Sequence, residues 1–227
     1  HHWATSMVGE VMTEAMNQGF SIPSETYSKW IGYQVAQSKK YRHSSAYAHD
    51  RSQAYRLYTL CLAGNEQTAL MNRLKESRTL SEQAAYRLAA AYHIVGKDSV
   101  AEGLLESESP YQNGEYITFW SPLRDNAMKL ETLVLLGKTD KAIVLANEIA
   151  EEFSSSSYST QEIAFVTTAF SRLAQISGLQ SSDVTLSYGD RRLLQKNMNG
   201  VKIFDIPALY GSVKIENASE SKVYLSL

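Results

Sequence analysis

The stretch Thr118-Phe119-Trp120-Ser121-Pro122-Leu123-Arg124-Asp125-Asn126-Ala127-Met128-Lys129-Leu130-Glu131-Thr132-Leu133-Val134-Leu135-Leu136-Gly137 decides how this chain is read. Ser121 is a residue type favoured as a helix N-cap, and Pro122 suits the first helical position because the N–H it lacks would be unpaired there anyway. Gly137 tolerates the left-handed conformation that ends a helix. Both ends of a short helix are thus written into the sequence. Leu123, Ala127, Leu130, Leu133, Val134 and Leu136 surround much of its circumference, so it is predicted to pack on more than one side.

Working outward, the same signals recur. Downstream, Gly137-Lys138-Thr139 turns the chain into a helix carrying Ala142, Ile143, Ala146, Ile149, Ala150 and Phe153. Serines 154 to 157 form a polar loop, and Ser159 with Glu162 stands at capping-box spacing, starting a further helix to about Ile176. Upstream, Ser81 begins an alanine-rich helix with Ala84, Ala85, Ala89, Ala90 and Ala91, whose small side chains permit close helix approach. Gly96-Lys97-Asp98 turns it into a short helix through Val100, Ala101, Leu104 and Leu105, and Tyr116 to Phe119 is expected to be extended.

At the start of the chain, Ala4 to Gln18 has helical spacing at Met7, Val11, Met12, Ala15 and Met16, and Gly19 ends it. Ser24 is expected to cap a second helix to about Lys39. A third spans about Asp50 to Ala63, and Gly64-Asn65 turns into a fourth with Ala69, Leu70, Arg73 and Leu74. The glycines at 19, 64, 96 and 137 therefore mark a degenerate helical-hairpin repeat. Their uneven spacing argues against a strict tetratricopeptide array and suits a solenoid or an α/α toroid.

From Val184 the period changes from 3.6 to 2. Val184 and Leu186, then Val201, Ile203 and Ile206, Val213 and Ile215, and Val223, Leu225 and Leu227 read as short strands, with turns at Asn199-Gly200 and Asn217 to Ser221. So few strands do not make an independent sandwich, and the segment reads as part of a larger β-domain. The fold class expected is mainly α, helical hairpins forming a partial α/α toroid over residues 1–178, followed by a short antiparallel β segment over 179–227. The abrupt start at His1-His2-Trp3 and the strand pattern at the last residues give the expectation of a piece cut from a longer protein.

Composition excludes some functions. With 227 residues, 44% of them hydrophobic, the chain can bury a substantial core. A formal net charge of −2 and only short basic clusters, such as Lys39-Lys40-Tyr41-Arg42-His43, argue against nucleic acid as a partner. No apolar run reaches the roughly 18 residues of a membrane span, and no signal-peptide pattern is present. The single cysteine, Cys61, excludes an internal disulfide.

Chemistry-bearing motifs are few. There is no phosphate-cradling glycine loop, no His-Glu-x-x-His and no zinc-like ligand spacing, so no metal, no cofactor and no catalytic residue is assigned. His93 reads as a residue of a helix C-terminus, and His43 and His49 as residues flanking a solvated loop. An α/α-toroid hydrolase would need two carboxylates bracketing the scissile bond, and Asp50 and Asp125 stand at suitable helix starts. The helix dipole also favours carboxylates in first turns, which is the structural reading of both.

Several stretches together resemble the bacterial branch of the α2-macroglobulin family, the protease-trapping relatives of complement thioester proteins. They are Trp3-Ala4-Thr5-Ser6 with Glu14-Ala15 and Gly19-Phe20-Ser21-Ile22-Pro23, Trp30-Ile31, Ala54-Tyr55-Arg56-Leu57-Tyr58 through Ala63-Gly64, and Met71-Asn72-Arg73-Leu74. Arg87-Leu88-Ala89-Ala90-Ala91-Tyr92, Ser121-Pro122-Leu123-Arg124-Asp125 with Leu130-Glu131-Thr132-Leu133, and Tyr158-Ser159-Thr160-Gln161-Glu162 complete the set. The resemblance covers about residues 3 to 176. It implies the later portion of a thioester domain, an α/α toroid, followed by strands of the CUB sandwich into which that domain is inserted.

The family's thioester joins a cysteine to a glutamine three residues later. Cys61 is followed by Leu62, Ala63 and Gly64, and Glu66-Gln67 lies beyond a helix end, so Cys61 reads as a buried apolar residue and the motif would lie upstream of His1. The resemblance implies a non-catalytic fragment of a cell-envelope protease inhibitor, periplasmic or outer-envelope, whose partners are target proteases and neighbouring domains of its parent. Its family's acyl-accepting histidine is not assigned to His43 or His49. The alternatives from other classes are a helical-repeat binding scaffold and an α/α-toroid carbohydrate-active enzyme.

Overall fold

A computed structural model describes residues 2–42, 48–77, 80–106, 121–153, 158–176, 184–189, 191–195 and 212–218. Its elements are α1 (His2–Asn17), α2 (Ser24–Lys40), α3 (Ala48–Leu62), α4 (Thr68–Lys75), α5 (Glu82–Ile94), α6 (Asp98–Glu106), α7 (Pro122–Leu135), α8 (Thr139–Phe153) and α9 (Thr160–Ile176), then β1 (Val184–Tyr188), β2 (Arg191–Gln195) and β3 (Val213–Asn217). The chain divides into two compact units, His1–Ala169 and Phe170–Leu227. The expected extended segment at Tyr116 to Phe119 and the expected strands at 201–206 and 223–227 lie outside the described residues.

In the first unit, the ends of α7 form as its sequence predicts. The Ser121 hydroxyl accepts from the Arg124 N–H at 3.2 Å, Pro122 takes the first turn, and Gly137 has φ 68°. The Lys138 N–H bonds to the Leu133 carbonyl at 2.8 Å and the Gly137 N–H to the Val134 carbonyl at 3.1 Å, a Schellman ending. The same pair of bonds closes α1 at Gly19, α3 at Gly64 and α5 at Gly96. Each odd-numbered helix of this series thus ends in a left-handed glycine and hands the chain to an even-numbered partner.

Packing follows that alternation. α1 meets α3, α3 meets α5 and α5 meets α7 in a continuous row, while α2, α4, α6 and α8 each pack as the hairpin partner of the helix before them. Burial separates the two sets. α5 and α7 are buried on nearly every side, whereas α6 buries only Ala101 and Leu104 and α8 only Ala142, Ala146 and Ile149. Phe165 of α9 joins the row through its ring, 6.1 Å from both Trp3 of α1 and Tyr55 of α3. This inner row with outer partners is the mainly α, partial α/α toroid arrangement expected from the sequence.

Two details depart from that expectation. Ser24 does not cap α2: the helix begins with Tyr27 N–H bonding to the Pro23 carbonyl at 3.1 Å, so Pro23 holds the cap position and Ser24 is already helical. In the second unit, β1 pairs antiparallel with β2 on one side and β3 on the other. β2 has no alternating pattern to announce it. Its register against β1 shifts between Leu186 and Ser187, which leaves Leu193 as an extra residue. Gly189, φ 55°, lies in the two-residue connection between Tyr188 and Arg191.

Candidate functional site

The polar chemistry of the helical unit is concentrated inside it. Arg87, in the middle of alanine-rich α5, is almost wholly buried, and its guanidinium lies over two tyrosine faces of α3, 4.3 Å from the Tyr58 ring centroid and 5.4 Å from that of Tyr55. Its Nη2 is 2.6 Å from Glu131 Oε2 on α7, an ion pair in which no N–H points squarely at the oxygen. Tyr58 donates to Glu131 Oε1 at 3.4 Å, and Tyr55 donates to Glu10 Oε2 of α1 at 2.5 Å. Four successive inner helices therefore each contribute to one buried cluster.

Its electrostatics follow from burial. Desolvation alone would lower the Arg87 pKa, but the fields of Glu131, Tyr58 and Glu10 outweigh it, and the group is held above its ordinary value. Burial, then the Glu10 charge, pushes the Tyr55 hydroxyl well up, so it remains a donor. The neighbouring Arg56 is buried too. It donates to Gln34 Oε1 at 3.0 Å and to Gln53 Oε1 at 2.6 Å, and burial lowers its pKa. Such groups hold helices in place; none presents an acid, base or nucleophile to an open cleft.

Asp50 and Asp125, the two carboxylates considered for hydrolysis, lie in the first turns of α3 and α7 and are both buried. Asp125 sits between two guanidinium groups, 3.1 Å from Arg51 Nη1 and 3.0 Å from Arg124 Nη2. Asp50 accepts the Ser81 N–H at 2.7 Å and the Arg51 N–H at 2.6 Å. Burial raises the Asp50 pKa against the opposing pull of those N–H groups. A glycosidase pair needs one carboxyl that gives up a proton to substrate and a second that faces it across a cleft. Here the oxygens are engaged in joining α3 to α5 and α7, and Arg124 in turn lies 4.4 Å from the Trp3 ring centroid on α1.

Cys61 is buried, its Sγ 3.7 Å from Met71 Sδ, and burial pushes its thiol up to about 12. The Gln67 amide instead donates to the Asn65 and Glu66 carbonyls in an exposed turn. His93 occupies the last turn of α5, where its Nδ1 is 2.6 Å from Asp98 Oδ1. His43 and the side chain of His49 lie outside the described residues. Among the described residues, no group of three His, Cys, Asp or Glu is placed to hold a metal ion, and no helix is long and apolar enough to cross a membrane.

Sequence reasoning missed the Arg87 cluster, although a signal was present. Arg87 and Glu131 lie within helices that are apolar around much of their circumference. A charge in such a helix has no solvent face to occupy and must be buried with a partner.

No family model matches the sequence, and no curated protein matches it. The fold does have counterparts among solved structures. Salmonella alpha-2-macroglobulin reacted with methylamine matches 96% of this chain at TM-score 0.70 and 18% identity. Native Escherichia coli alpha-2-macroglobulin, from domain MG7 to the C-terminus, matches 95% at TM-score 0.67 and 16% identity. The E. coli protein activated by porcine elastase matches 95% at TM-score 0.64 and 19% identity. The chain spans 14%, 34% and 19% of those three structures' chains. Helical hairpins around a buried inner row, followed by a small antiparallel sheet, are thus the fold of one segment of bacterial alpha-2-macroglobulins.

Proposed function

We propose that this chain is a segment of a protease-trapping protein of the bacterial alpha-2-macroglobulin type, without catalytic activity of its own. In this reading residues 1–178 form the later part of a thioester-type helical domain and residues 179–227 supply strands of a CUB-like sandwich. The parent acts in the periplasm or outer envelope. Proteases cleave it, and the resulting rearrangement encloses them. The observation that carries the reading is the match of 96% of the chain, helices and strands together, to the Salmonella protein. That protein reacted with methylamine, a small nucleophile, and the E. coli protein was activated by elastase.

The surface of α1 supports the same reading. Val8 and Val11 are 54% and 59% exposed on a helix of the inner row that has α3 on one flank. In a larger helical domain, neighbouring helices of the parent would cover this apolar face. The enzyme alternative loses its chemistry once Asp50 and Asp125 are engaged by backbone N–H groups and guanidiniums. The test is capture. A parent protein incubated with trypsin should retain the protease in a form that cleaves a small chromogenic peptide but not a large protein substrate. Equal cleavage of both substrates, with no protease retained, contradicts the proposal.

A further inference from the structure

The alanine-rich helix α5 raises a problem of register. Ala84, Ala85, Ala89, Ala90 and Ala91 are all buried and spread around the helix, so much of the surface that α5 offers its neighbours is small, with Leu88 and Tyr92 as its larger fully buried apolar side chains. Small side chains let helices approach closely but provide few knobs to stop one from slipping a turn, about 5.4 Å, along its neighbour. Hydrophobic burial is non-directional and would be similar in the slipped state. Something directional has to choose.

The directional contacts at the margins of α5 act at its ends: at its start Asp50 of α3 accepts the buried Ser81 N–H at 2.7 Å and Arg51 donates to Gln83 Oε1 at 2.9 Å. Glu82 pairs with Lys129 at 2.6 Å but is partly exposed, and Tyr92 donates to Asn72 on α4, away from the inner row. Arg87 is different. Among the described residues of α5 it is the buried charge, and a slip would carry it away from Glu131 and from the faces of Tyr55 and Tyr58. A charge stranded in the core is far costlier than lost packing.

We propose that Arg87, held between Glu131 and the two tyrosine faces beside Glu10, is a register lock that selects one seating of α5 in the inner row. Its role is to make the helical unit adopt a single conformation rather than to add stability, and it stands independently of the protease-trap reading. Buried ion pairs replaced by apolar residues of similar volume frequently cost nothing in stability, which separates the two roles experimentally.

The test uses the full 227-residue chain labelled with carbon-13 at alanine methyl groups. The wild type should give one sharp signal for each alanine of α5. In the double variant Arg87→Met/Glu131→Leu, helical circular dichroism should be kept and Glu10 still receives its bond from Tyr55. The α5 methyl signals should split or broaden while those of Ala142 and Ala146 in α8 remain single. A Leu88→Ala control, which opens a core cavity beside Arg87 without touching the charges, should lower the melting temperature and leave the α5 signals single. Sharp single α5 signals in the double variant overturn the proposal. So does outright unfolding of the double variant, which would make the pair a source of stability, and so does equal broadening in Leu88→Ala, which would trace the effect to loosened packing.

Discussion

The Ser121 hydroxyl donates to Glu162 Oε1 at 2.6 Å while accepting the Arg124 N–H at 3.2 Å, so one side chain caps α7 and ties it to the start of α9. Glu162 completes the link by accepting the Ser159 N–H at 2.7 Å, and its own N–H bonds to the Ser159 hydroxyl at 3.3 Å. The capping box predicted at Ser159 therefore serves two helices. Ser121→Ala removes a cap and the interhelix bond together, and a loss of about 1–2 kcal/mol in denaturant unfolding is expected. Ser121→Thr should recover most of it.

The same link sets a pH dependence. Hydrogen bonds from Ser121 and Ser159 hold the Glu162 carboxyl below its ordinary 4.5. A carboxylate whose folded pKa is depressed stabilises the fold above its unfolded pKa, and that contribution disappears as pH falls through the folded value. The melting temperature of Glu162→Gln should therefore lie below that of the wild type at pH 7, and the two should converge as pH drops below 4.5. A gap that widens on acidification would contradict this assignment.

Gly9 gives a steric prediction. A Cβ built at Gly9 would fall 1.7 Å from Trp30 Cζ2, because the indole of α2 lies directly on the α1 backbone and donates from Nε1 to the Thr5 carbonyl at 2.7 Å. Gly9→Ala must displace Trp30, at a cost of about 1–3 kcal/mol. Near-ultraviolet circular dichroism should change with it. Gly103 in α6 has open space at the same test position, so Gly103→Ala should be neutral or stabilising.

Removing one partner of the buried ion pair should be severe. Glu131→Leu alone leaves the Arg87 guanidinium buried without its nearest carboxylate, and a loss of about 3–5 kcal/mol is expected. Cys61 gives the opposite kind of result. With its thiol pushed up to about 12 by burial, it should resist a thiol reagent at pH 8 in the native chain and react fully in denaturant.

The parts of this fold legible in the sequence were those fixed by local chemistry. Ser121, Pro122 and Gly137 bounded α7 because caps and left-handed turns depend on residues within a few positions of one another. Gly19, Gly64, Gly96 and Gly137 marked the hairpins for the same reason. What stayed hidden depends on partners far along the chain. Arg87 needs Glu131 and Tyr58, and Asp125 needs Arg51, pairings that no local period encodes. Asp50 and Asp125 read from the sequence as first-turn carboxylates favoured by the helix dipole, with catalysis the rival reading, and only their long-range partners show what they join. β2 escaped because its bulge at Leu193 breaks the alternation on which strand reading relies.

Uptake of a small amine on proteolysis separates the proposed protease trap from any other use of this fold. The parent protein, extended upstream through the whole helical domain, is exposed to a protease in the presence of a labelled small amine and analysed by mass spectrometry. Covalent labelling at an upstream glutamine, appearing only after proteolysis and accompanied by retained protease, is the result expected of a thioester trap. A parent that is cleaved yet takes up no amine and retains no protease would contradict the protease-trap proposal.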